Sequence, residues 1–177
     1  MYRNTLTTIT AIFALTLNLV VSQVVINEIM YNPPGSQGSD YDYEFMELYN
    51  PGSVDIDMSG YSYTQGVTHV FADGTTLPAM GYMIVSIPAD NSQGSVVENP
   101  FDPDGDGYHT NGAIVVEWTS GGLSNGGEDI TIVDAGGVVV DSVDYEDGTN
   151  SFGDWGTAHD GGGGSLELID ATVPNDS

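Results

Sequence analysis

Apolar residues along this chain fall in short, often β-branched runs rather than in long amphipathic stretches. Beyond the N-terminal segment they are "QVVINEIMY", "YEFMELYN", "VTHVFAD", "GYMIVSI", "AIVVEWT", "EDITIVDA", "GVVVDSVDY" and "SLELID". Several alternate in polarity. In "DITIVD", Ile130 and Ile132 fall on one side and Thr131 and Val133 on the other, the period of a half-buried strand. In "EFMELYN", Phe45 lies opposite Glu44 and Met46, with Glu47 on the Phe45 side. Glycine, proline, asparagine and aspartate separate the runs, as turns require. "NPGS" predicts a turn in which Pro51 fixes φ and Gly52 supplies positive φ. "VDAGGVVVD" predicts a hairpin with positive φ at both Gly136 and Gly137. No window of twelve residues beyond residue 22 has helical periodicity. Short strands, tight turns and no helices predict an all-β chain folded as an antiparallel sandwich.

The ends behave differently. "MYRN", the apolar "AIFALTLNLVV", and Val20 and Ser22 before Gln23 have the form of a signal peptide over residues 1–22. The apolar run falls short of the roughly 20 residues of a membrane span, so a secreted, extracellular protein is expected. Residues 23–170 then form one domain. Within it, "DGTNSFGDWGTAHDGGGG" is a long glycine-rich loop in which Trp155 is the expected pin to the body. Residues 171–177, "ATVPNDS", make a tail or the start of a linker.

Composition sharpens this picture. Without residues 1–22 the chain has 155 residues, 26 acidic side chains and no lysine, arginine or cysteine. Nucleic acids and anionic membranes both need cationic side chains to release or match their charge, so neither is an expected partner. No membrane insertion is expected after the signal is removed. Without cysteine there is no disulfide frame, but about 150 residues can bury roughly 68–70% of the unfolded surface in one core.

"VVINEIMYNPPG", "EFMELYNPGS" and "DMSGYSYT", followed by "TLPAMGYMIVSI", "GGLSNGGEDITIVDAGGVVVDSVDY" and "GGGGSLELID", together resemble the lamin tail domain as it occurs in secreted bacterial proteins. The resemblance runs from about Val24 to Asp170. It implies an immunoglobulin-like β-sandwich and a structural or binding module with no catalytic residues. In nuclear lamins the family is associated with DNA and chromatin, but the cationic surface for that role is missing here.

Chemistry concentrates in "NPFDPDGDGYHTNG", where Asp102, Asp104 and Asp106 stand at alternate positions. With Gly107 they fit the first six positions of a calcium loop. Tyr108 can add a backbone carbonyl, and Glu98 or Glu117 can complete the shell. The twelfth position is Ala113, where such a loop needs a bidentate glutamate. A structural calcium site and a solvated acidic turn both fit that spacing. Asp40, Asp42, Glu44 and Glu47 alternate as on an exposed strand face, where Tyr41 and Tyr43 are candidates for a sugar-stacking platform. "GLSNG" matches the nucleophile elbow around Ser124 in letters only, since strand-like "EDITIV" follows where a helix is required. His69, His109 and His159 lack the spacing of a zinc site. The expected function is a non-enzymatic extracellular module for adhesion, surface assembly or targeting of a larger secreted protein. The alternative is an accessory carbohydrate-binding module of a secreted enzyme. The partner is a protein or polysaccharide at the cell surface, and nothing in the pattern sets an oligomeric state.

Overall fold

The alternating runs become eleven short strands and one helical turn in the computed structural model, which describes residues 24–88, 99–147 and 158–171. In chain order they are β1 (Val25–Met30), α1 (Asp40–Tyr43), β2 (Phe45–Tyr49), β3 (Ile56–Asp57), β4 (Ser62–Gln65) and β5 (His69–Val70). Then come β6 (Thr76–Leu77), β7 (Tyr82–Ser86), β8 (Ile114–Glu117), β9 (Glu128–Val133), β10 (Val139–Tyr145) and β11 (Leu166–Glu167). The expected signal peptide, Glu98, the Trp155 pin and residues 172–177 lie outside the described residues.

Two sheets, ordered β11-β1-β2-β7-β8 and β10-β9-β4-β5, form the immunoglobulin-like sandwich, and β3 pairs with β6 beside them. Period-2 faces supply the core between the sheets. Met46 and Leu48 come from β2, Met83 and Val85 from β7, and Ile130 and Ile132 from β9, packed with Trp118, Phe71 and Met58. Thr131 and Val133, expected on a solvent face, are also buried. The Thr131 hydroxyl is engaged there by Gln65 and Ser142.

β1 shows how the chain reconciles an irregular pattern with a pleat. Ile26 and Ile29 are both in the core although they are three residues apart. Pure alternation would send them to opposite faces. A register shift between Ile26 and Glu28 absorbs the extra residue, as a β-bulge does. The Ile26 N–H donates across the sandwich to Asp141 Oδ2 of β10 at 2.7 Å. Asp141 is buried and also accepts from the Ser142 N–H. Replacing Asp141 with alanine would leave a buried N–H without this acceptor, a loss of about 1–3 kcal/mol. Chemical denaturation should show it as a lower midpoint at unchanged slope; a cost below about 0.5 kcal/mol would rule out a clasp between the sheets.

The antiparallel sandwich carries one exception, and three finer expectations give way. Among its strand pairs only β7 and β8 run parallel in the described residues. Parallel neighbours cannot be joined by a tight hairpin, so β8 follows a long connection whose described part, residues 99–113, carries the aspartate loop. The β9–β10 hairpin forms, but only Gly137 has positive φ, at 80°. The Asp134 carboxylate accepts from the N–H groups of Gly136 and Val138 and sets the rest of that turn. At "NPGS", Gly52 does not take positive φ. Instead fully buried Asn50 accepts from the Gly52 N–H and donates to the carbonyls of Val54, Leu77 and Pro78. Finally, Asp40–Tyr43 is one helical turn, not a strand. A single turn is too short to reveal a 3.6-residue period, so its alternating letters mimic a strand. It turns Asp42 and Glu44 inward, where both are buried.

Candidate functional site

The aspartate loop is built by its own backbone. Asp102 Oδ1 accepts from the Asp106 N–H and Oδ2 from the Gly107 N–H, both at 3.0 Å, while Asp106 Oδ1 accepts from the Tyr108 N–H at 2.9 Å. Gly105 and Gly107 take φ of 71° and 85°, a region that side chains disfavour. These turns bring one carboxylate oxygen from each of Asp102, Asp104 and Asp106 within 4.8 Å of one another. Asp102 is half-buried and the other two are exposed. The loop is anchored to the sheet at both ends. Asn99 donates to Ser86 Oγ and Glu117 Oε1, the Phe101 ring packs on Phe45 at 5.1 Å, and the Val115 N–H donates to the Gly107 carbonyl.

Chemically, this is a hard-oxygen set of three carboxylates, half of the six to eight ligands that calcium takes. Backbone carbonyls and water are the remaining donors available to such a loop. Glu117 is not in the group; it holds Asn99. Tyr108 contributes its backbone to a bridge with Ile114.

"GLSNG" is a structural latch. The Ser124 N–H donates to Glu128 Oε1, its hydroxyl accepts from Gly126, and its carbonyl accepts from the Tyr145 hydroxyl. The chain then enters β9, without the helix an elbow needs. Beside it, Leu123 donates its N–H to Glu44 Oε2 at 2.7 Å. Burial first, and then the charges of Asp40 and Glu128, push the Glu44 carboxyl up to about 8. Burial also raises Tyr145, with Glu128 adding to it. Glu44 therefore carries its proton across the mildly acidic to neutral range. Sequence reasoning placed it on an exposed face. The clue was its place one residue before Phe45, on the inward side with Met46.

The histidines occupy three separate settings. His69 is buried, packs edge-on to Phe71 at 4.7 Å, and has no hydrogen-bond partner at either ring nitrogen among the described residues. Burial holds its pKa below the usual value. His159 Nδ1 meets the Tyr31 hydroxyl at 2.7 Å. His109 sits in the aspartate loop, where its N–H donates to the Ala113 carbonyl.

Tyr41 and Tyr43 lie on α1 and do not make a strand-borne platform. The stacked pair is instead half-buried Tyr49 and exposed Tyr82, opposite each other on β2 and β7, with ring centroids 4.5 Å apart and planes at 21°. The pairing of Tyr49 with Tyr82 comes only with the strand register. Against known proteins, a family model described as Lamin Tail Domain matches residues 20–147. No curated protein matches the chain. The family match ends before β11, which adds an edge strand beside β1.

Proposed function

Because the chain belongs to the lamin tail domain family, we propose that it is a non-enzymatic extracellular module serving adhesion, surface assembly or targeting of a larger secreted protein. The family is one of immunoglobulin-like structural domains, and its match across most of the chain is the observation that carries the reading. The signal-like start supports secretion, and the absence of lysine and arginine beyond residue 22 supports a cation-seeking surface. A screen of the secreted protein against hydrolase substrates should stay at background, and turnover abolished by Ser124→Ala would overturn the reading. An accessory carbohydrate-binding module is the second reading, favoured by the stack of exposed Tyr82 on Tyr49. On a glycan array, competable binding to one polysaccharide would put that reading first.

The loop at Asp102, Asp104 and Asp106, with the Tyr108 carbonyl, is proposed to hold a structural calcium ion. A cation bound only by the folded form stabilises it by about 2.7 kcal/mol at a hundredfold excess over Kd. Millimolar calcium should raise the melting temperature more than magnesium does at matched ionic strength, since magnesium demands tighter octahedral geometry. Asp104→Ala combined with Asp106→Ala should remove most of that increment. An equal calcium response in wild type and double variant would reduce the loop to a solvated turn.

A further inference from the structure

The outward face of the five-stranded sheet carries two adjacent rows, one aromatic and one acidic. In the first row, Tyr49 and Tyr82 are register partners with stacked rings, and Tyr82 is 43% exposed. Next to them Met80 is 59% exposed and holds φ at 54°, a conformation unusual for a residue with a side chain. The Tyr49 hydroxyl leans on its sulfur at 3.8 Å. In the second row, Glu167 of β11, Glu28 of β1 and Glu47 of β2 are successive cross-strand partners. Like charges placed directly opposite each other destabilise a sheet. A side-chain amide from Asn27 to Glu47 Oε1 is one compensation, but an amide carries no charge.

Elsewhere in proteins such a row is matched by lysine or arginine. This chain has one basic residue, Arg3, and it precedes the domain. We propose that this face docks a partner protein through a lysine- or arginine-bearing segment. The cation would lie over the carboxylate row, with its stem or guanidinium plane against Tyr82 and Met80. A neutral sugar could stack on Tyr82 equally well, but it would leave three adjacent carboxylates uncompensated. A cationic side chain answers both rows at once, because tyrosine faces also attract cations. The partner's charge is therefore the feature selected.

The inference deepens the binding-module reading by naming the partner's chemistry, and its test isolates that step. The probe is a short capped peptide of alternating arginine and serine, titrated calorimetrically into the secreted domain at about 0.15 M salt, where distant charges are screened. Tyr82→Ala should weaken binding about threefold, the size of an exposed cation–π contact. Glu28→Gln with Glu167→Gln should weaken it about fivefold or more through the lost complementary charge. Asp73→Asn with Asp144→Asn removes equal charge from exposed positions outside the five-stranded sheet and should change it less than about twofold, since charges away from the contact are screened by salt. If the control pair weakens binding as much as the glutamate pair, or Tyr82→Ala changes nothing, the docking face is wrong. A neutral oligosaccharide binding at Tyr82 while the peptide does not would also overturn the cationic partner. Neither result touches the non-enzymatic reading, which falls only with demonstrated turnover; oligosaccharide binding would put the carbohydrate-binding reading first.

Discussion

Trp118→Ala is expected to lower the unfolding free energy by about 3–5 kcal/mol, the range for truncating a large buried aromatic. Trp118 is 1% exposed, directly after β8, and belongs to the cluster between the sheets. Its indole N–H donates to the Gly121 carbonyl at 3.0 Å, and its backbone N–H to the Ser86 carbonyl. The ring thus joins the end of the parallel β7–β8 pair to the loop that leads into β9. For a domain of this size each kcal/mol lowers the melting temperature by roughly 2–4 °C, so a fall of about 10 °C should be seen calorimetrically. Trp118→Phe keeps most of the volume but loses the donor, and should cost less. If alanine costs under about 1 kcal/mol, the core does not depend on this ring.

The second large effect is a dependence on pH with an unusual sign. Glu44 has its folded pKa raised from 4.5 to about 8. A raised carboxyl binds a proton in the folded state that the unfolded chain releases. Its contribution is therefore fully present below about pH 4.5 and lost as pH rises through about 8. Each tenfold gain in proton affinity is worth about 1.4 kcal/mol, which makes the whole contribution on the order of 5 kcal/mol. Glu44→Gln keeps an oxygen for the Leu123 N–H but cannot ionise. The variant should match wild type near pH 5 and exceed it by several kcal/mol near pH 9. His69 works in the other direction: its lowered pKa gives stability that is present above its unfolded value and lost as pH falls. Taking the difference between variant and wild type cancels that contribution and the general repulsion among the other acids. Parallel stability curves for the two proteins from pH 5 to 9 would show that Glu44 is not buried in its neutral form.

The difference between legible and illegible features has a physical basis. Strand faces are local: a period of two, seen in "FMELY" and "EDITIV", states which residues point together, and Met46, Leu48, Ile130 and Ile132 all reached the core. Turn chemistry is nearly as local, and Asp134 with Gly137 shows it, although the sharing of positive φ between the two glycines was not. The aspartate loop's proximity was also local, because all three carboxylates lie within five residues. By itself the sequence determined an all-β sandwich, a strongly acidic surface with no lysine or arginine beyond residue 22, and a loop able to gather carboxylates.

Only the tertiary structure decided which strands are neighbours. Register and strand order depend on contacts between segments far apart in the chain, which no local period encodes. From them come the parallel β7–β8 pair, the Asp141 clasp across the sheets, and the meeting of Tyr49 with Tyr82. The same applies to charge. Glu28, Glu47 and Glu167 are ordinary acidic letters until β11, β1 and β2 lie side by side. Glu44 becomes a neutral buried acid only because a helical turn and the loop at Leu123 close around it. Burial and pairing change the energy of a charged group by several kcal/mol, and both are properties of neighbours rather than of the residue.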